Sequence, residues 1–434
     1  MNISIASVFP ELYQSFLSTS LIKRAQEKKI IDVHLESFFS FVEPKKRIDA
    51  PTFGPGPGML IKPDVVEKAI DSAHARFGPS YNIFFSPQGK MLDQPMLKKL
   101  AGIFQEKKHI MLLPARYEGM DARVEQMYAD ETISIGNYVL MGGDIPAMVL
   151  LEGLLRYIPG VVSKEFSVEQ DSFTGAFVDY PAFTEPVEWN GMCVPDVVRS
   201  GNHQAIEDWR KEQAVKLSIK KHFTWVQNQV QTIEDKKEVE RHLPSHYVML
   251  CHSNVLIGED KQPGTTSVTS LDIHDIARSC KTYGIKKYWL LTPLADQQRI
   301  VKRFLGFWGS DVGSNYNAQR KKAIAHVDLS DSVEKVIDQI EQKEGKKPLL
   351  VATSARLVNQ GKAITFFDQE KVWQHDRPVL LIFGTGKGLT DEFVGRCDYL
   401  LTPVEGFSSY NHLSVRSAAA IVLDRWLGIH NKNV

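Results

Sequence analysis

The sequence predicts an α/β protein built twice over: two mostly parallel sheets with a small all-helical segment between them. Three observations point there. Short apolar runs alternate with amphipathic stretches in both halves, the pattern of strand–helix units whose strands pair parallel. Residues 200–243 interrupt that alternation and read as consecutive helices. Each half also carries a glycine-rich segment after an apolar run, "SIGNYVLMGGDIP" at 134–146 and "PVLLIFGTGKGLT" at 378–390.

In the first half the expected strands are 3–8, 33–38, 81–85, 110–113 and 132–135, with "KPDVVEKAIDSAHARF" as an intervening helix. The stretch 161–186 has little periodicity and reads as a long loop, a length that points to function. Ser200–Asn202 form a cap region ahead of helical "HQAIEDWRKEQAVKLSIKKH". The charged run "TIEDKKEVERHLPSH" ends at Pro244 and Ser245, where a new strand begins. In the second half the expected strands are 247–250, 287–291, 322–326, 349–353, 379–383 and 399–401, with "DSVEKVIDQIEQKEG" as a helix between two of them. The expected organisation is therefore a sheet domain at 1–160, a joining loop at 161–186, a helical subdomain at 187–243 and a second sheet domain at 245–434.

Composition bounds the function. A chain of 434 residues is too long for one compact core. Its 43% hydrophobic and 24% charged residues are an ordinary globular balance. Lys+Arg and Asp+Glu are 52 each, so any nucleic-acid site must be a local patch. The four cysteines are far apart, which argues against a disulfide framework or a zinc site and fits a reducing compartment. His242 and His246 are the nearest approach to a metal pair, but Pro244 separates them and a solvated linker is the preferred reading. No apolar run spans a bilayer, "MNISIASVFP" reads as a first strand, and a cytoplasmic protein is expected.

Two familiar ligand motifs fail on spacing in "PVLLIFGTGKGLT". A phosphate-cradling GxxxxGK[ST] loop needs glycine at Leu381 and Ser or Thr at Gly388; a dinucleotide GxGxxG needs glycine at Leu389. In the first half, residues 113–162 combine glycines 119, 136, 142 and 143 with carboxylates Glu118, Asp121, Asp130 and Glu131. Any one of those acids reads equally as a solvated loop residue.

The order and spacing of "RYEGMD", "SIGNYVLMGG", "RYIPGV", "DSF" and "SGNHQAIEDWR" are more specific. Residues 1 to about 243 resemble the bacterial tRNA (guanine-37-N1)-methyltransferase family, TrmD, of the SPOUT superfamily. The resemblance implies a trefoil-knotted, mostly parallel α/β domain that works as a homodimer on the anticodon region of tRNA. Its glycine loops hold S-adenosylmethionine (SAM) through their main chain, which is why glycine is needed. Carried over, the first SAM site comprises Phe85, Ser86, Pro87 and Gly89; Ala115, Glu118 and Gly119; and Ser134, Ile135, Gly136, Tyr138, Leu140, Gly142, Gly143 and Pro146.

Guanine N1 carries a proton that a carboxylate must remove as the methyl arrives, and the charge left on O6 is stabilised by a guanidinium. The family's base matches Asp171 and its arginine Arg156; a helix cap and a surface ion pair are the plainer alternatives. The family's divalent-ion dependence implies Mg²⁺ near Glu118, without a ligand spacing to specify it. Departures from the pattern are Ala50 after Asp49, Pro114-Ala115 for Cys-Gly, and Glu185 for a basic residue. Arg210, Lys211, Lys216, Lys220 and Lys221 offer a basic helix face for phosphates, or simply a solvated one.

The second half resembles SPOUT RNA methyltransferases through "FGTGKGL" and 400–428, and its 2′-O-ribose branch through "LDIHDIARSCKTYGI". As a whole, 245–434 is similar to a bacterial SAM-dependent RNA methyltransferase domain found beside or fused to TrmD. That implies SAM contacts from Thr353, Gly384, Gly386, Gly388, Leu401, Pro403, Asn411, His412 and Leu413, with Arg278 activating the attacking hydroxyl. The alternatives are a core role for His412 and a surface salt bridge for Arg278. "RIVKRFLGFWGSDVGSNYNAQRKK" interleaves six basic residues with aromatics, which suits a second RNA or equally a core or dimer contact. Two rival readings are a non-catalytic dimerisation and RNA-binding module in the C-terminal half, and a nicotinamide-dependent oxidoreductase, against which the failed GxGxxG spacing argues.

Overall fold

A computed structural model describes residues 1–56, 58–162, 171–310, 317–356, 358 and 361–430. The chain divides into two compact units, Met1–Thr174 and Gly175–Val434. Among the described residues no helix is long and apolar enough to cross a membrane.

Unit 1 contains β1 (Asn2–Ser7), β2 (Asp32–Ser37), β3 (Asp49–Pro51), β4 (Met59–Ile61), β5 (Tyr81–Met91), β6 (His109–Leu113) and β7 (Glu131–Ser134). Five of them form a parallel sheet in the order β2-β1-β6-β5-β7, while β3 and β4 pair as an antiparallel hairpin. Both faces of the sheet are covered, so its strands read as apolar runs rather than alternating ones. Ile3, Ile5, Ile83 and Leu112 face one core; Ala6, Phe84, Met111 and Leu113 face the other. Helix Gln94–Lys107 starts at Asp93, whose carboxylate accepts the Met96 N–H at 2.9 Å. Helix Asp144–Leu155 packs its buried Ala147, Leu150, Leu151 and Leu154 into the first of these cores.

Unit 2 opens with a hairpin of β8 (Glu188–Trp189) and β9 (Met192–Cys193), then helices His203–Lys221, Phe223–Gln229 and Ile233–His242. Asn202 caps the first of these, accepting from Ala205 N–H at 3.2 Å, as expected for the 200–202 segment. Next come β10 (His246–Cys251), β11 (Val255–Ile257), β12 (Gln262–Gly264), β13 (Lys287–Leu291), β14 (Val327–Ser330), β15 (Leu349–Thr353), β16 (Ala363–Ile364), β17 (Val379–Gly384) and β18 (Tyr399–Leu401). Seven form a parallel sheet in the order β14-β13-β10-β17-β15-β18-β16.

Two expectations need correction. Residues 322–326 are not a strand: Asn317 caps a helix, Ala318–Ile324, and Ala323 and Ile324 are its buried face, so the edge strand starts at Val327. The helices of 203–242 pack on the second sheet: Val215, Ile219, Phe223 and Val226 share one core with Val248, Leu290 and Trp426. The second correction concerns His246, which is not in a solvated linker. It is buried as the first residue of β10, and its Nε2 accepts the indole N–H groups of Trp426 at 3.1 Å and Trp373 at 3.3 Å. Its Nδ1–H donates to Pro244 O at 2.6 Å. The long-loop expectation for 161–186 lies outside the described residues at 163–170, as does part of the basic–aromatic stretch at 311–316.

Candidate methyl-donor sites

Parallel register brings the C-terminal ends of β6, β5 and β7 to one sheet edge, with Phe84 beside Leu113 and Thr132. The loops leaving those ends enclose a cavity of about 390 Å³, within the range of small-ligand pockets. Of the expected first-site residues, all but Gly89 line it. Gly89 instead lies in β5, where a Cβ would stand 2.6 Å from the backbone of Ile133; it lets β5 pass close to β7.

The cavity wall is main chain brought unusually close. Gly143 N–H donates to Ala115 O at 2.7 Å, and a Cβ at Gly143 would meet Ala115 N at 2.9 Å. A Cβ at Gly142 would meet Arg116 Cδ at 2.4 Å. Gly119 has φ +120°, a conformation that excludes most side chains, whereas Ala115 is not among the positive-φ residues and tolerates its methyl. The β3–β4 hairpin braces this wall: Glu118 N–H donates to Met59 O at 3.1 Å, and Ile61 N–H to Gly119 O at 3.0 Å. Asp49 in that hairpin is buried and held ionised, its pKa lowered chiefly by the Arg47 hydrogen bonds at 2.9 Å.

Sequence reasoning missed the anchor beneath the cavity. Asp144, the first residue of helix Asp144–Leu155, is fully buried. It accepts from Arg116 Nε at 2.6 Å, Ser7 Oγ at 2.6 Å and Tyr13 OH at 3.1 Å. Burial foremost, then the Asp144 charge, raises the Tyr13 pKa and keeps the phenol a donor. Arg116 also lies over the Phe9 ring at 5.0 Å. The only signal was that both residues stand inside the glycine motifs themselves, "RYEG" and "GGD".

Arg156 and Asp171 meet in an ion pair. Among the described residues no helix directly follows Asp171, whose carbonyl closes a turn by accepting Thr174 N–H at 3.2 Å and Thr174 Oγ1 at 2.6 Å. Beside Arg156 is a second cavity, about 490 Å³, lined in part by Gln94, Lys98, Tyr157 and Phe173. Arg156 stands at the C-terminal end of the helix whose N-terminal end is Asp144. Twelve helical residues separate the two ends, roughly 18 Å at 1.5 Å per residue. One copy of unit 1 therefore does not bring the ion pair to the cavity floored by Gly142 and Gly143.

In unit 2 the loops after β15, β17 and β18 leave one sheet edge in the same way, Ala352 lying beside Ile382 and Thr353 beside Leu401. Thr353 Oγ1 donates to Ile382 O at 2.9 Å, and Asn411 Nδ2 donates to Ala355 O at 3.0 Å. Gly386 has φ +61° and Gly388 φ +94°; a Cβ on Gly386 would meet Leu256 O at 2.6 Å. Gly384, Leu401 and Pro403 sit at that edge, and Leu413 is exposed with His412, which is not a core histidine. Arg278 is exposed on helix Ser270–Thr282, about 12 Å along it from the start. Among the described residues no three or more His, Cys, Asp or Glu side chains are placed to hold a metal ion.

Comparison with known proteins finds two methyltransferase families along the chain. Residues 1–228 match the family described as tRNA (Guanine-1)-methyltransferase TrmD, and residues 245–428 match the family described as SAM-dependent RNA methyltransferase. A tRNA (guanine-N(1)-)-methyltransferase of Nitratidesulfovibrio vulgaris is 36% identical over 434 residues, 99% of each chain. One of Oleidesulfovibrio alaskensis is 34% identical over 440 residues, again 99% of each. A solved tRNA (m1G37) methyltransferase of Aquifex aeolicus aligns at 30% identity over 48% of this chain and 87% of that one, with a TM-score of 0.41. With the family match covering more than half its length and full-length relatives sharing both parts, this chain belongs to the TrmD family of tRNA (guanine-1)-methyltransferases and carries a SAM-dependent RNA methyltransferase domain behind it.

Proposed function

We propose that unit 1 transfers a methyl group from SAM to N1 of guanosine 37 in tRNA. The observation that carries the donor side is the cavity walled by Gly142, Gly143 and the Ala115 main chain. SAM supplies an electrophilic methyl on a sulfonium. The glycine turn and the 115–119 loop offer main-chain N–H and C=O groups to it, and Glu118 and Glu125 add negative charge to a cavity meant for a cationic ligand.

Asp171 is the proton acceptor for guanine N1 and Arg156 the donor to O6. The carboxylate takes the N1 proton, the electron pair of that N–H bond forms the new bond to the methyl carbon, and the carbon–sulfur bond breaks with its pair passing to sulfur, which leaves a neutral methylated base and S-adenosylhomocysteine. In the free chain each group occupies the other, and the incoming guanine edge, with an N–H beside a carbonyl, replaces both halves of that ion pair. Reacting atoms must come within about 3.5 Å, yet roughly 18 Å of helix lies between the glycine turn and Arg156. The working enzyme is therefore a homodimer in which one copy holds the donor and the other presents Arg156 and Asp171. Exposed Tyr138 and Leu140 line the donor cavity, and Met141, Ile145 and Val149, exposed on the adjoining loop and helix, add apolar surface for that contact.

The helix face of Arg210, Lys211, Lys220 and Lys221 contacts tRNA phosphates; Lys216 is already paired with Glu212 at 2.5 Å and contributes less. The SAM-dependent RNA methyltransferase domain in unit 2 acts on a ribose 2′-hydroxyl with Arg278 assisting, and a divalent ion near Glu118 aids unit 1. The test is nucleoside analysis of RNA treated with the wild-type chain, Asp171→Ala and Arg278→Ala. Asp171→Ala should lower 1-methylguanosine by roughly 10²- to 10⁴-fold, the range for a general base. Arg278→Ala should leave 1-methylguanosine intact and remove a 2′-O-methylated nucleoside. Undiminished 1-methylguanosine from Asp171→Ala refutes the assignment of the base.

A further inference from the structure

His252 follows β10 directly and is fully buried. Its Nδ1 lies 3.0 Å from Thr266 Oγ1, which lies 2.5 Å from Thr385 Oγ1, which donates to Cys251 O at 3.0 Å. With Thr385 donating to Cys251 O, the single proton of each hydroxyl sets the direction of the rest of the chain. Thr385 spends its proton on Cys251 O, so it accepts from Thr266. Thr266 has then spent its own, so it accepts from His252, whose Nδ1 must carry the ring proton. Nε2 keeps a bare lone pair and has no partner among the described residues. Burial pushes the ring pKa down to about 4, against a smaller upward pull from Asp272, so the imidazole stays neutral.

The far end of this chain is the glycine turn of unit 2. Thr385 stands between Gly384 and Gly386, and its main chain is tied as well: Thr385 N–H to Cys251 O at 3.2 Å and Gly388 N–H to Thr385 O at 3.1 Å. Leu256 N–H donates to Gly388 O at 2.8 Å, and Lys387 N–H to Leu256 O at 2.8 Å. Thr266 N–H donates to His252 O at 2.8 Å, so the 252–266 segment is fastened at the histidine. A turn whose main chain is the ligand contact surface needs its amides aimed before the ligand arrives.

We propose that His252, as the Nδ1–H tautomer, is a positioning residue of the second methyl-donor site, orienting Thr385 through Thr266 and thereby setting the Gly384–Gly388 turn. This rests on the reading that unit 2 binds SAM at that turn. Asparagine at 252 can place an amide N–H where Nδ1–H stands; glutamine puts its amide nearer the Nε2 position and leaves Thr266 without a donor. Thr266→Val keeps the shape and removes the relay.

The experiment is equilibrium dialysis of labelled SAM against the full chain. The wild-type chain binds two SAM per chain, and His252→Asn stays within about threefold of it at both sites. His252→Gln and Thr266→Val each weaken the second class of site roughly tenfold to a hundredfold, the effect of a buried acceptor losing its donor. They leave the first class unchanged, and the double variant is no worse than either single one. Should His252→Gln fail to fold, Thr266→Val alone reads the relay. Unchanged second-site binding in Thr266→Val overturns the proposal, as does His252→Asn losing as much as His252→Gln. A wild-type stoichiometry of one overturns the donor-site reading itself, an outcome distinct from two sites that ignore the relay.

Discussion

Acidification from pH 7 to pH 5 should destabilise unit 2 by about 4 kcal/mol through two histidines. His246 and His252 are buried, and burial lowers both pKa values to about 4 from 6.5. For His246 the two tryptophan N–H groups also require a lone pair on Nε2, which protonation would remove. The sign follows from proton counts: between pH 6.5 and pH 4 the unfolded chain binds protons that the folded chain does not. Stability therefore rises with pH across that window, is fully present above 6.5, and is lost as the pH falls toward 4. At about 1.4 kcal/mol per pH unit, each histidine contributes roughly 2 kcal/mol of loss by pH 5 and roughly 3 kcal/mol by pH 4. Against the 5–15 kcal/mol typical of domains, that is a large fraction. All seven tryptophans lie beyond residue 174, so fluorescence-monitored urea unfolding reads unit 2 alone. His246→Gln keeps an acceptor for the indoles and removes the titration, and should halve the pH effect to about 2 kcal/mol. A wild-type stability flat between pH 7 and 5, or an undiminished slope in His246→Gln, refutes the reasoning.

Two further outcomes concern unit 1. Asp144→Ala strips the buried partner from Arg116, Ser7 and Tyr13, and should cost about 3–5 kcal/mol in calorimetric unfolding; a cost under 1 kcal/mol would show that the anchor is dispensable. Mixing inactive Asp171→Ala with a donor-deficient Gly143→Asp should restore about a quarter of wild-type activity after subunit exchange, because half the dimers are mixed and each holds one complete site. No recovery despite demonstrated exchange contradicts a site shared between copies.

What could be read from residues alone follows from periodicity and turn chemistry. The parallel strands were legible because burial on both faces leaves runs such as "HIMLL" and "VLLIF" nearly free of polar residues. The residues lining the first cavity were legible through the family resemblance, because a main-chain wall leaves glycines at fixed places in a motif. Strands of two or three residues, such as β8, β9 and β16, carry too few positions to show a period. The shift from 322–326 to Val327 reflects the same limit: one apolar turn of helix and one short strand look alike until Asn317 is seen as a cap. Side-chain relays were not legible. Arg116 with Asp144, and His252 with Thr266 and Thr385, join residues 28, 14 and 119 positions apart, and only the folded chain makes them neighbours. His246 misled because a histidine beside a proline at the end of a charged run looks solvated, and the two tryptophans that cover it come from 127 and 180 residues away.

Most direct of all is locating the methyl group. A tRNA transcript incubated with the full chain and SAM, digested and sequenced by mass spectrometry, should carry one base methylation by unit 1, at N1 of guanosine 37, and a transcript with adenosine at 37 should carry none. A methyl group on another atom or another nucleotide, or equal base methylation of the adenosine-37 transcript, would contradict the proposed activity.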